Sequence, residues 1–114
     1  MARRIQLVDE NETFNFSPQG FDTVFQLRRI PLSTIEQLRR QCTKRGELQD
    51  GMFTIAVLRY SVLGWDGMES TNGIEVPFDS RLVDKIPDEI ATEIVTELRQ
   101  SKINDNLPES EKKT

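Results

Sequence analysis

Met52 to Trp65 is the longest apolar stretch of this 114-residue chain, and Arg59 is the one full charge inside it. Whatever fold forms has to be built around it. The wider segment from Leu48 to Trp65 carries two periodicities at once. Ile55, Leu58, Val62 and Trp65 fit a helical stripe, with Ala56, Tyr60 and Leu63 beside it. Thr54, Ile55, Val57, Tyr60 and Val62 are also strand formers. Length favours helix, because so long an apolar run exceeds a usual strand, and the segment is expected to be a central helix. It is too short to span a bilayer comfortably.

The stretch ends in Leu63-Gly64-Trp65-Asp66-Gly67, which holds the only tryptophan. The backbone is expected to turn at Asp66-Gly67 and again at Asn72-Gly73, since glycine accepts positive φ and Asn-Gly is a strong turn signal. A short extended run, Ile74-Glu75-Val76-Pro77-Phe78, follows. Trp65 is expected to anchor this excursion to the rest of the domain or to a partner.

Upstream, Ile5–Val8 and Thr13–Phe16 are short extended candidates around the polar turn Asp9–Glu12, and Ser17–Gly20 is a second turn. From Asp22 to Ile30 the chain alternates. Val24, Gln26, Arg28 and Ile30 fall on one side, and Phe25, Leu27 and Arg29 on the other, as in a strand. These segments are expected to form an N-terminal antiparallel sheet. Pro31 closes the strand. Ser33-Thr34-Ile35-Glu36 reads as a capping box opening a helix with Ile35, Leu38 and Cys42 on one face, stopped at Gly46. Asp79 or Ser80 caps a helical turn through Leu82 and Val83. Pro87 then opens a helix with Asp88 and Glu89 in its first turn and an apolar stripe at Ile90, Ile94 and Leu98.

The expected architecture is α+β: a small N-terminal antiparallel sheet packed with about three helices. One domain spans residues 1–103, and residues 104–114 form a disordered charged tail. A composition of 36% hydrophobic and 30% charged residues suits a small soluble domain of modest stability. The first residues lack the apolar run of a secretory signal, and Cys42 has no cysteine to pair with. A cytoplasmic setting is expected.

Catalytic chemistry has little to work with. Histidine is absent, Cys42 has no base to activate it, and no phosphate-binding glycine loop occurs. Neither catalysis nor a cofactor is expected. Glu89, Glu93 and Glu97 recur at helical spacing and read as a solvated face. Asp66, Glu69, Asn72, Glu75 and Asp79 do not follow the ligand pattern of an EF-hand, and turn chemistry accounts for them better. Arg59 is expected at the edge of its buried helix.

A net charge of −4 disfavours general nucleic-acid binding. Yet Arg28, Arg29, Arg39, Arg40, Lys44 and Arg45 crowd into one strand-to-helix unit. Such a face could hold phosphates, dock an acidic partner, or pair with the acidic C-terminal half of the same chain.

The order of motifs supports a more specific expectation. Leu27-Arg28-Arg29-Ile30-Pro31 leads into a basic helix, and an apolar segment ends in Gly64-Trp65-Asp66-Gly67. A turn at Asn72-Gly73 and then Val76-Pro77-Phe78 lead into Leu82-Val83 and Ile86-Pro87. Over about residues 22–101 this resembles small tail-assembly-chaperone-like proteins of tailed phages and prophages. The resemblance implies a non-catalytic helper in the cytoplasm of the host bacterium. It would bind the long tape-measure protein during virion morphogenesis, until tail-tube subunits polymerise around it. No catalytic residues carry over; Trp65, Gly67, Pro77 and Phe78 do, as structural or docking elements. The alternative is a small nucleic-acid-associated phage protein using Arg28, Arg29, Arg39 and Arg40.

Overall fold

The alternation at Val24–Arg28 makes the central strand of the domain. In the computed structural model, which describes Ala2 and residues 4–99, this strand (β2) lies between β1 (Thr13–Phe16) and β5 (Val62–Asp66). The sheet order is β1-β2-β5, antiparallel throughout. Helices α1 (Leu32–Gln41), α2 (Asp50–Ser61) and α3 (Asp88–Arg99) pack with it. A 3-10 helix at Ser80–Lys85 and a small hairpin, β3 (Thr43–Lys44) with β4 (Glu47–Leu48), complete the described elements. The domain is α+β. The tail expected at residues 104–114 lies outside the described residues, as do residues 100–103.

One face of the sheet is apolar. Phe16 sits opposite Phe25 and Phe14 opposite Leu27 across β1 and β2; Trp65 pairs with Phe25 and Val62 with Leu27 across β2 and β5. Against this face pack Leu58 of α2, Val83 of the 3-10 helix, and Ala91 and Ile94 of α3. The stripe expected on α3 is therefore the stripe that is used. Each fully buried aliphatic side chain of this kind contributes roughly 1.5–3 kcal/mol.

The long apolar segment does not form one helix. It is helical only to Ser61, and Val62 is already extended at φ −83° and ψ 111°. The register slips between Gln26 and Leu27, which makes Leu63 the extra residue of a β-bulge. Val62 and Trp65 are three apart, a spacing that reads as helical. The bulge between them lets both point to one face of a strand.

Three other expectations are corrected. Ile5–Val8 is not a strand: Ile5 and Leu7 are exposed and unpaired, and β5 supplies the third strand instead. The capping box does not form, because α1 begins at Leu32 with Pro31 as its N-cap. The Pro31 carbonyl accepts the Thr34 and Ile35 amides, each at 3.0 Å, so Ser33 already lies within the first turn. Gly46 does not stop α1, which ends at Cys42. Arg45 (φ 54°) and Gly46 (φ 79°) instead make the two-residue turn of the β3–β4 hairpin.

Asp66-Gly67 turns as expected. Gly67 adopts φ +77°, and a Cβ there would lie 3.4 Å from the Thr23 backbone. Its carbonyl accepts the Thr23 hydroxyl at 2.8 Å. Gly67→Ala is expected to destabilise the domain by about 1–2 kcal/mol through left-handed backbone strain. Gly51→Ala, in the first turn of α2 with open space around it, is expected to stabilise it by about 0.4–1 kcal/mol. Denaturant unfolding of both variants checks the contrast.

Candidate functional site

Trp65 is a core residue, 8% exposed. Its ring meets Phe25 edge-on at 6.3 Å and Phe78 edge-on at 4.9 Å, and its Nε1–H donates to the Val76 carbonyl at 2.9 Å. The excursion between Trp65 and Phe78 folds back on itself: the Val76 amide donates to Met68, the Ser70 amide to Ile74, and the Gly73 amide to Ser70. Trp65 thus holds the return limb of the excursion against the sheet. Of the residues carried over by resemblance, Phe78 packs on Trp65, while Gly67 and Pro77 are exposed beside them.

Arg28 ends β2 and Arg29 follows it directly, so the two side chains leave the extended chain on opposite sides. Arg28 lays its guanidinium 4.0 Å over the Tyr60 ring and donates from Nε to the Tyr60 carbonyl at 2.9 Å. Arg29, 9% exposed, stacks 4.5 Å over Phe14 and donates from Nη1 to the Glu97 carbonyl at 3.2 Å. Tyr60 and Glu97 belong to the last turns of α2 and α3, where carbonyls lack partners within the helix and a cation complements the dipole. The two arginines therefore cap two helix C-termini. They do not join Arg39 and Arg40 in an exposed basic face.

Arg39 pairs with Glu36 on α1 and approaches Phe53 of α2 at 5.6 Å. Arg40 is exposed. Arg59, exposed as expected, forms a 3.6 Å ion pair with Asp84. Tyr60 donates its hydroxyl to Glu10 at 2.5 Å, and burial, then that bond, push its pKa up. Cys42 is buried at the end of α1. Among the described residues, no group of three or more His, Cys, Asp or Glu side chains is placed to hold a metal ion. No helix among them is long and apolar enough to cross a membrane.

A groove of about 450 Å³ lies over α2, walled by α1 and α3. Phe53 and Val57 of α2 form its floor. Ile35 and Arg39 stand on one wall, Val95, Leu98 and Arg99 on the other, and Ile30 lies at the approach to α1. The volume lies within the roughly 300–1,000 Å³ of common ligand clefts. Apart from Arg39 and Arg99 its lining is apolar, and among the described residues it holds no carboxylate or hydroxyl. Of the expected site residues only Arg39 reaches it. Phe53/Val57 and Ile35/Arg39 each recur at i, i+4, a signal present in the sequence but outweighed there by the stripe through Ile55 and Leu58.

Trp65→Phe keeps a ring in the core but leaves the Val76 carbonyl without its donor, and is expected to cost about 1–3 kcal/mol in denaturant unfolding. Asp79 caps the 3-10 helix by accepting the Arg81 amide at 2.9 Å, and hydrogen bonds from Arg81 lower its pKa to about 2. A depressed carboxylate stabilises the fold above its unfolded value of 3.8 and loses that contribution as pH falls through about 2. The melting-temperature gap between the native protein and Asp79→Ala should therefore be full at neutral pH and close over that acid window.

No family model, curated protein or solved structure matches the chain.

Proposed function

We propose that this chain is a non-catalytic assembly factor of the phage-tail-chaperone type. It holds a helical segment of a tape-measure protein in the host cytoplasm until tail subunits enclose it. The observation that carries this reading is the open groove between α1 and α3. Helices pack in layers that hide their apolar stripes, and here an apolar stripe of half-buried Phe53, Ile35, Val95 and Leu98, lying over the already buried Val57, is walled on both sides but left uncapped among the described residues. An amphipathic helix laid along it would bury that stripe in the manner of helix-in-groove recognition. Affinity would then come from a few apolar anchors, which allows release when the tail tube displaces the chaperone.

Basic residues support the nucleic-acid alternative less well, since Arg28 and Arg29 are occupied by helix termini. The sequence motifs that resemble the chaperone family act here mainly in the fold, through Trp65 and Phe78. The groove supplies the binding surface.

Co-expression with tail proteins, followed by affinity capture at moderate and high salt after nuclease treatment, tests the reading. A long helical tail protein should be retained at both salt concentrations. Ile35→Glu, at a half-buried groove position of α1 outside the core cluster, should lose it at least ten-fold while the melting temperature stays within a few degrees. Capture of nucleic acid alone, or of a tail protein that ignores Ile35→Glu, would overturn the proposal.

A further inference from the structure

The groove has a charge pattern that specifies its occupant further. Among the described residues two cations line it, Arg39 on the α1 wall and Arg99 on the α3 wall, and no carboxylate does. This occurs on a chain whose net charge is −4. The two arginines differ in their surroundings. Arg39 shares its guanidinium with Glu36 on the outer side of α1 and reaches towards the floor at Phe53. Arg99 closes α3 and has no ion pair among the described residues.

From this arrangement we infer that the groove takes an acid-flanked amphipathic helix: apolar side chains at i and i+4 seated on half-buried Phe53 and between Ile35 and Leu98, with Asp or Glu on both flanks. The inference rests on the docking reading above and narrows it to a partner chemistry. An apolar face alone would bind in either direction and with little discrimination. Carboxylates beside Arg39 and Arg99 fix the register, and cationic flanks would place like charges together at the rim, which is penalised. Basic or neutral amphipathic helices are thereby rejected by the same residues that attract acidic ones.

The probe is a pair of designed helical peptides of about 18 residues, long enough to form a helix in water. Both carry the same Leu/Ala face; one has Glu on its flanks and the other Lys. Each is titrated into the ¹⁵N-labelled full chain at low and at high salt. The Glu-flanked peptide should shift the amides of Ile35, Phe53, Val57, Val95 and Leu98. At low salt it should bind about three- to thirty-fold more tightly than its Lys-flanked counterpart, as expected for two partly exposed charge pairs. The gap should narrow as salt shortens the screening length. Arg99→Glu, an exposed change at the end of a helix, should shrink or reverse the preference.

Equal affinity for the two peptides, no binding, or shifts confined to other surfaces would overturn the inference. So would groove amides that shift without peptide when Ile103→Asp and Leu107→Asp are introduced, which would give the groove to the chain's own C-terminal residues. Concentration-dependent shifts of the same amides without peptide would assign it to a second copy and equally overturn it. The peptide result stands apart from the tail-protein capture: preference for the acidic peptide with no tail protein captured would reject the tail-assembly reading and keep the groove chemistry.

Discussion

The fold turns on the junction between Ser61 and Val62. There α2 passes into β5 with no intervening loop, so the helix cannot move independently of the sheet. Ser61 is fully buried at this point, where a larger side chain would have to displace the strand. The bulge at Leu63 lets Val62 and Trp65 both enter the core, and Trp65 in turn holds the return limb at Val76 and Phe78. Helix, sheet and excursion are thus linked through five consecutive residues of β5.

Arg28 and Arg29 tie the same centre to two helices. Abrupt conversion of helix to strand leaves the Tyr60 carbonyl without an intrahelical partner, and Arg28 supplies the donor. Arg29 does the equivalent for α3 from the opposite side of β2, with its guanidinium sheltered against Phe14. Burial of an arginine is expensive unless its donors are satisfied and its plane is stacked; a helix carbonyl and an aromatic face offset part of that cost for each of the two. What reads in sequence as a basic patch is largely internal scaffolding.

The same positions explain where sequence reading succeeds. Alternation from Val24 to Arg29 identified β2 and which of its side chains share a face, because side-chain direction in a strand depends only on position parity. The stripe at Ile90, Ile94 and Leu98, the Asp79 cap and the turns at Gly67 and Asn72-Gly73 were equally legible, each depending on residues a few positions apart. Trp65 was recognisable as an anchor, but nothing local distinguished an internal anchor from an external one. Ile5–Val8 has strand composition and no strand: among the described residues β1 pairs with β2 alone, so composition did not decide whether the next segment would add to its other edge.

The α+β class, the central strand, the C-terminal helix and the turn at Asp66-Gly67 follow from short-range periodicity and backbone preference alone. Contacts between distant segments divide Met52–Trp65 between helix and strand and commit Arg28 and Arg29 to helix termini. They also place Phe53 and Val57 along a groove. These depend on partners 11 to 68 residues away. No local pattern encodes such contacts, because the free energy that selects them comes from burial and hydrogen bonding with remote segments.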